Sequence, residues 1–557
     1  MNSAVICASV LIVFVFGYRV YSRWLAQKIF ELDDANPTPA HSLEDGVDYV
    51  PTNKHVLFGH HFSSIAGAAP IVGPAVAVIW GWVPAMLWIA FGVVFAGAVH
   101  DMSALVISMR HKGRSIGDVT AHIIGPRSRV IFLLIIFFLT MMVLAVFATV
   151  IGYLFVKFDG AVLPVTLEIP VACLVGWLVY KKNIGLLVPS IIVLIGLYAA
   201  IWLGAETAET ADALQATLFG SETNQKLFWS IALLIYAYVA SVLPVWLLLQ
   251  PRDFINSHQL IVGLGGLFLG IAIVHPPVVA PAFNVGVDAP PWFPLLFVTI
   301  ACGAVSGFHG LVSSGTTSKQ IRLETEARPI GYGGMLGEGC LALVATLAAT
   351  AGFATRADWD THYGSWDTAN GLGAKIEAFV HGSTTFLGGV AIPADVAAVV
   401  VAVLVLSFSA TSLDTAMRIQ RFVVQELAEI YQVKALTNRY AAGLVALGSA
   451  AILLFVGKGG MVLWPLFGAG NQLLAALTLL VVSTWLAREG RNFWPTLIPA
   501  LFLGLMTSLA MVRNLQTFHS NENWLLLGIG GLLVVLEIWI VFEGVAAARR
   551  HRSQKAA

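Results

Sequence analysis

The chain has 557 residues, 58% of them hydrophobic and only 11% charged, and its mean hydropathy is +0.83. Soluble domains carry about 25% charged residues, so there is too little polar surface here to coat a water-soluble globule, and the chain reads as a polytopic, all-α membrane protein. Its formal net charge is zero, without the basic excess of a nucleic-acid or anionic-lipid binder. Cys7, Cys173, Cys302 and Cys340 are far apart, form no CxxC and fall in apolar runs; they read as small core thiols rather than a disulfide or metal framework.

About 20 apolar residues are needed to span hydrocarbon, and on that measure the sequence predicts about 15 transmembrane helices. They begin near residues 3, 62, 84, 129, 162, 184, 227, 257, 293, 332, 393, 440, 461, 494 and 524. The first is a span and not a signal peptide: no basic region precedes it, and Arg19, Arg23 and Trp24 stand where a small-residue cleavage site belongs. The polar stretches 25–57, 205–226 and 354–392 read as loops. Placing the N-terminus outside leaves only Lys157, Lys226, Arg356, Lys375, Lys458 and Arg513 of the 31 Lys and Arg on the outer face. By the positive-inside rule that orientation is preferred, and the odd count puts the C-terminus in the cytoplasm.

The second helix, "FGHHFSSIAGAAPIVGPAVAVIWGW", carries Gly67, Pro70, Gly73 and Pro74 where a helix is obligatory. Lipid cannot satisfy backbone groups, so such clusters are tolerated where the chain lines a protein-buried or watered cavity. Pro70 frees the carbonyl of Ala66, and Pro74 that of Pro70. Freed carbonyls are cation ligands, and the amides of the following half-helix attract a carboxylate. Two readings stand: a proline kink packed by small residues, or a site in which Ser63, Ser64, Gly67, Ala68, Pro70 and Gly73 hold substrate.

The ninth helix, "GAVSGFHGLVSSGTTSKQI", is dense in hydroxyls and carries His309, Ser313 and Ser314. It comes seven spans after the second, so the two run antiparallel. Their hydroxyls and freed carbonyls together supply the hard oxygen ligands of a small cation. In the eleventh, "SFSATSLDTAMRIQRFVVQELAE", Ser407, Thr411 and Asp414 share a face, and Asp414 is spaced to pair with Arg418; the alternative is an ordinary solvated helix end. His100 and Asp101 lie in the third helix, Asp101 nine residues before Arg110, which is about 14 Å along the axis. An ionisable residue at that depth is a functional candidate by default, set against a structural hydrogen bond to a neighbouring helix.

The blocks "GHHFSSIAGAAPIVGPAVAVIWGWVPAMLWI", "GAVHDMSALVISMRHKGRSIGD", "SGFHGLVSSGTTSKQI", "SLDTAMRIQRFVVQELA" and "WPLFGAGNQLLAALTLL" resemble those of the carbon starvation protein A (CstA) family. The resemblance implies a bacterial inner-membrane transporter, associated with uptake of peptides or of pyruvate, the latter with protons. It also implies the five-plus-five inverted repeat of the leucine-transporter fold. On that pattern the chain is a single domain over 1–557, with a peripheral helix at 3–24, a ten-helix transport core at 58–418 and four additional helices at 440–548. The second helix and the seventh, with Pro244, would be the broken ones. The ninth would complete a cation site between Ser313, Ser314 and the carbonyls near Ala66, Gly67 and Pro70.

The expectation is a secondary active importer, not an enzyme, for pyruvate or a short peptide. It needs no cofactor beyond a coupling proton or sodium ion and takes no nucleic-acid partner, and the bilayer surrounds it; the sequence leaves its oligomeric state open. His309 joins the substrate set, while His100, Asp101 and Asp414 join Ala66, Ser313 and Ser314 as cation-binding or proton-relay candidates. Two other classes compete with this reading: a membrane metal or haem enzyme using His60, His61, His100 and His309, and a nutrient-responsive channel. Haem ligation needs histidines at matched depth, and no signalling domain accompanies the spans.

Overall fold

A computed structural model describes residues 1–182, 184–456 and 460–556; the side chains of 456, 460, 461 and 545–556 lie outside that description, as do Lys458 and the side chains of the basic tail from Arg549 to Lys555. The described chain is helical, with extended residues pairing only in isolated bridges. α1 (Ser3–Ile29) is followed by α2 (Lys54–Ile65) and α3 (Ala69–Trp80), which meet at 47°. Next come α4 (Trp82–Arg110), α5 (Ile116–Ile123), α6 (Pro126–Lys157), α7 (Asp159–Lys182), α8 (Leu187–Glu206), α9 (Ala208–Phe219), α10 (Glu222–Val242) and α11 (Leu249–Val274). A segment broken into α12 (Trp292–Thr299), α13 (Ala301–Ala304) and α14 (Gly307–Gly315) leads to α15 (Glu324–Ala351). After it stand α16 (Arg356–Tyr363), α17 (Trp366–Ala369), α18 (Leu372–Gly388), α19 (Ala394–Ile430), α20 (Arg439–Val456), α21 (Trp464–Arg488), α22 (Trp494–Ser520) and α23 (Trp524–Ala556).

Among the described residues 12 helices are long and apolar enough to cross a membrane, and the bent α2–α3 pair makes a thirteenth if it counts as one span. The two other predicted segments are also helical but fall short of that length, the ninth because it is broken and α20 because it is short. Burial sorts the spans. In α19, 94% of the most apolar window is buried, against 22% in α8 and 33% in α1. The centre is therefore α19, α15 and α21, with α1, α7 and α8 turned outward. Small residues let the central backbones touch: a Cβ built on Gly97 of α4 would stand 2.2 Å from the Ala304 carbonyl oxygen, and one on Gly307 2.4 Å from that of Asn471.

Several predicted boundaries shift. The second helix begins at Lys54, the seventh at Glu222 and the eighth at Leu249. In the eighth, Gln250, Arg252, Asp253 and Asn256 are buried and partnered within the protein, so a hydropathy scan excludes residues that the fold encloses. The predicted loops 205–226 and 354–392 contain α9, α16, α17 and α18. The seventh helix is not broken mid-span: α10 runs unbroken to Val242, and Pro244 lies in the connection to α11. The second discontinuity is in the ninth instead, where Val305 and Ser306 are extended between α13 and α14.

Candidate functional site

The first break spans 66–68. α2 ends at Ile65, Ala66 takes a non-helical conformation (φ −76°, ψ 60°), and the Gly67 amide donates back to the Ile65 carbonyl at 2.8 Å. Pro70 sits in the first turn of α3, where its missing N–H costs nothing. Gly67 is needed for space: a Cβ there would come within 3.0 Å of Phe147 of α6 and Ser412 of α19. Gly73 is needed more strictly, because its Cβ would meet the Thr299 carbonyl oxygen at 2.3 Å. The α3 half of the second segment thus lies backbone to backbone against the ninth, just ahead of the ninth's own break.

That second break is held by Asn471 of α21. Its Oδ1 accepts from the Phe308 amide at 2.7 Å, in the first turn of α14, and its Nδ2 donates to Ser306 Oγ at 2.9 Å and to Cys302 Sγ at 3.0 Å. One turn into α14 stands His309, between two acids: its Nδ1 is 3.0 Å from Asp101 Oδ2 and its Nε2 3.0 Å from Glu338 Oε2 of α15. His100 Nδ1 lies 2.8 Å from the other Asp101 oxygen. All four side chains are buried, and Glu338 Oε1 and His100 Nε2 have no hydrogen-bond partner among the described residues.

The structure therefore gathers His100, Asp101 and His309, which the sequence singled out on separate helices. It adds Glu338 and Asn471, which sequence reasoning missed. Glu338 carried the same signal as Asp101, an acid inside an apolar run, whereas an asparagine in a span announces no partner of its own.

The other predicted residues lie elsewhere. Ser63 Oγ donates to the Asp253 carbonyl at 3.0 Å, Ser64 meets Thr415 at 3.1 Å, and Ser412 donates to the Ser64 carbonyl at 2.8 Å, so this end of α2 is tied to α11 and α19. His60 is 2.5 Å from Asp253 and His61 2.9 Å from Thr317. Asp414 does not pair with Arg418; it binds Arg252, which also meets Glu168 and Tyr236, while Arg418 reaches Asp48 at 2.6 Å. Helix spacing permits the i, i+4 pair, but both side chains find ions on other elements.

Of the two serines predicted to face the first break, Ser314 turns elsewhere. Ser314 donates to the Gly310 carbonyl one turn back at 2.7 Å and accepts the Ile116 amide at 3.2 Å, so it faces α5, whereas Gly67 faces α6 and α19. Ser313 is buried and its hydroxyl has no partner among the described residues. Ala66, Ala68 and Pro70 are buried beside the first break.

A cavity of about 420 Å³ lies next to the two breaks, touching the chain just after the first and just before the second. Its floor includes Ala69, at the start of α3, and Cys302, held by Asn471; its walls include Trp366, Trp464 and Phe467; Lys375 and Arg513 supply its cations. With them, four of the predicted outer cations meet at this end of the molecule. Lys157 pairs with Glu377, two residues from Lys375, and Lys226 lies over Tyr153, whose hydroxyl abuts Gly373.

The family model for carbon starvation protein CstA matches residues 2–357 and 361–510. The chain is 34% identical to the peptide transporter CstA of Campylobacter jejuni, over 92% of this chain and 80% of that one. It is 32% identical to the peptide transporter CstA of Bacillus subtilis, over 100% and 98%, and 34% identical to the pyruvate/proton symporter BtsT of Escherichia coli, over 91% and 81%. A manganese transporter from Eremococcus coleocola overlays 91% of this chain and 99% of its own at 14% identity, with a TM-score of 0.42 that carries no argument about the fold. Matched along nearly its whole length, this multi-pass membrane protein belongs to the carbon starvation protein CstA family, whose named relatives are transporters and not enzymes.

Proposed function

We propose that the protein imports a small carboxylate-bearing nutrient, pyruvate or a short peptide, across the bacterial inner membrane, driven by protons. The observation that supports this reading is the cavity whose floor lies between two broken helices and beside a buried ionic chain. Broken helices place backbone amides and carbonyls at membrane depth, where a substrate exchanges its water for fixed dipoles. The cations that line the cavity suit an anionic substrate.

The ionic chain suits a proton. With His309 protonated and both Asp101 and Glu338 ionised, the group carries one uncompensated negative charge in an apolar interior, an expensive state. One added proton neutralises it. Cys302, Asn471 and Ser306 connect the cavity floor to the first turn of α14, so occupation of the cavity and protonation of the chain act on the same short helix. Glu168, Asp253 and Asp414 around Arg252 and His60 also carry excess negative charge, but none of them lines the cavity.

Mass action couples two sites when each ligand favours the same state. Rocking of the broken segments around the cavity would then carry substrate and proton together. The test is counterflow of labelled pyruvate, dipeptides and amino acids in proteoliposomes, followed by net uptake under an imposed pH gradient. Saturable exchange of a carboxylate, with accumulation abolished by a protonophore, is expected. Exchange confined to neutral solutes, or accumulation indifferent to the protonophore, would remove this reading.

A further inference from the structure

We propose that Lys375 is the residue that binds the substrate carboxylate in the outer cavity, a role that rests on the carboxylate-importer reading above. Lys375 lies one turn into α18, the short helix that packs across the ends of α3 and α15 and that composition disguises as a loop. Its side chain is 2% exposed, yet it lines the cavity, with Nζ 5.5 Å from the centre of the Trp464 ring. Among the described residues no carboxylate stands within ion-pair distance of it.

Its neighbours show how unusual that is. Lys157 has Glu377 at 3.1 Å, Lys226 has Glu222 at 2.8 Å and Arg356 has Asp360 at 2.8 Å, all at partly exposed sites where a partner is least needed. The one deeply buried lysine of the cavity has an aromatic face instead. A buried ammonium without a counter-ion is costly, and an aromatic ring compensates only in part. Burial pushes its ammonium down to about 7.

The cavity is shaped to complete the pair. Asn370 lies beside Lys375, Trp366, Trp464 and Phe467 offer apolar wall, Arg513 stands exposed at the rim, and the floor reaches the first turn of α3. A carboxylate on Nζ would meet a cation already freed of most of its water, while the rest of the molecule rests on the rings. The shared recognition element is the carboxylate, whether of a 2-oxo acid or of a peptide C-terminus.

The test uses the full chain in proteoliposomes with labelled pyruvate and alanyl-alanine, and with alanyl-alanine amide as competitor. Lys375→Gln should raise KM for the carried carboxylate at least tenfold with little change in kcat, Lys375→Arg should recover part of the loss, and Lys375→Gln should cease to prefer the free peptide C-terminus over the amide. Lys375→Met should unfold at a temperature no lower than wild type, because it removes an unpaired buried charge; this separates lost recognition from lost structure. Independently, acetic anhydride labelling of Lys375, read by mass spectrometry, should be suppressed by pyruvate or by alanyl-alanine but not by the amide. Whichever acid protects identifies the source of the carboxylate.

Carboxylate transport with unchanged KM in Lys375→Gln and no protection would overturn the assignment while leaving the proposed function standing. Protection without transport would do the reverse. Protection equally strong from chloride or phosphate would reduce the site to a general anion site and overturn the assignment too.

Discussion

Asp101, His309 and Glu338 stand in a row with the imidazole 3.0 Å from an oxygen of each acid, so removing either charge should change what the imidazole needs. If the row takes up the driving proton, Asp101→Asn and Glu338→Gln should each abolish accumulation against a gradient and leave exchange measurable, since exchange moves no net proton. Accumulation at the wild-type level in both variants would return the row to a structural role. Lys375 yields a second expectation, with the sign set by its environment: a base disfavoured by burial is charged only below about 7 and is increasingly neutral above. Affinity for a carboxylate should therefore fall as the outer pH rises from 6 to 8, and the fall should be smaller in Lys375→Arg, where only the coupling to the Asp101–His309–Glu338 row remains. The other ionisable groups lining the cavity are Arg513 and Cys302, while Glu377 turns away to Lys157, so no acid opposes that trend. The same shift means the unfolded chain binds the proton that the folded chain gives up, so stability rises with pH above about 7.

Both discontinuities depend on side chains that differ in how plainly they announce themselves. The break at 66–68 was legible because Gly67 and Pro70 are helix breakers inside an apolar run. The break at 305–306 was not, since Val305 and Ser306 are compatible with helix and only the flanking Gly303 and Gly307 hint at it; tertiary bonds from Asn471 make it. Helix α18 escaped for the opposite reason. Lys375, Glu377 and His381 make it too polar for a hydropathy window, although the capping boxes at Thr355 and Ser365 signal that 354–392 is structured. Glu338 and Arg252 were passed over because a span scan averages them away, and an averaged window cannot show that two ions on different helices meet. Two variants probe the breaks. Asn471→Ala leaves the Phe308 amide and Ser306 without their partner, at a cost of ~1–3 kcal/mol, and should lower the unfolding temperature and slow transport. Gly73→Val sets a Cβ 2.3 Å from a backbone oxygen that has nowhere to go, and should abolish transport, whereas Gly265→Ala, with nothing within 4 Å, should be silent. Normal uptake by Gly73→Val would show that the two segments do not need this contact.

At the scale of the molecule the charges divide between two ends. Lys157, Lys226, Lys375 and Arg513 gather at the cavity end, and ion pairs lace elements together at the opposite end. There Asp48, in the loop before α2, takes Arg418 at 2.6 Å and Arg421 at 3.4 Å, and Arg110 takes Glu324 at 2.7 Å. Burial works against ionisation of Asp48, yet Arg418, Arg421 and Lys319 together hold its carboxyl down to about 2. The contact therefore persists at all physiological pH and is lost only as pH falls toward that value. A carrier that alternates must open this end when the cavity end closes, and the pair from Asp48 to Arg418 joins the loop preceding the first broken segment to α19, whose apolar window is the most buried among the described spans. If it is a latch, Asp48→Asn should favour the state open at that end. On the orientation expected from the positive-inside distribution that end faces the cytoplasm, which sets the readout. Cysteines at exposed Glu209 and Asp360 should react with an impermeant thiol reagent from outside intact cells, and one at exposed Glu44, beside the latch, should react only after lysis. A fourth cysteine, placed at Ala69 on the cavity floor, should label from outside in the parent and more slowly when Asp48→Asn is added, because opening one end withdraws the floor from the other. Labelling of Glu44→Cys from outside would invert the topology. Ala69→Cys labelling unaffected by Asp48→Asn would leave that ion pair as a fastening of the loop and no part of the cycle.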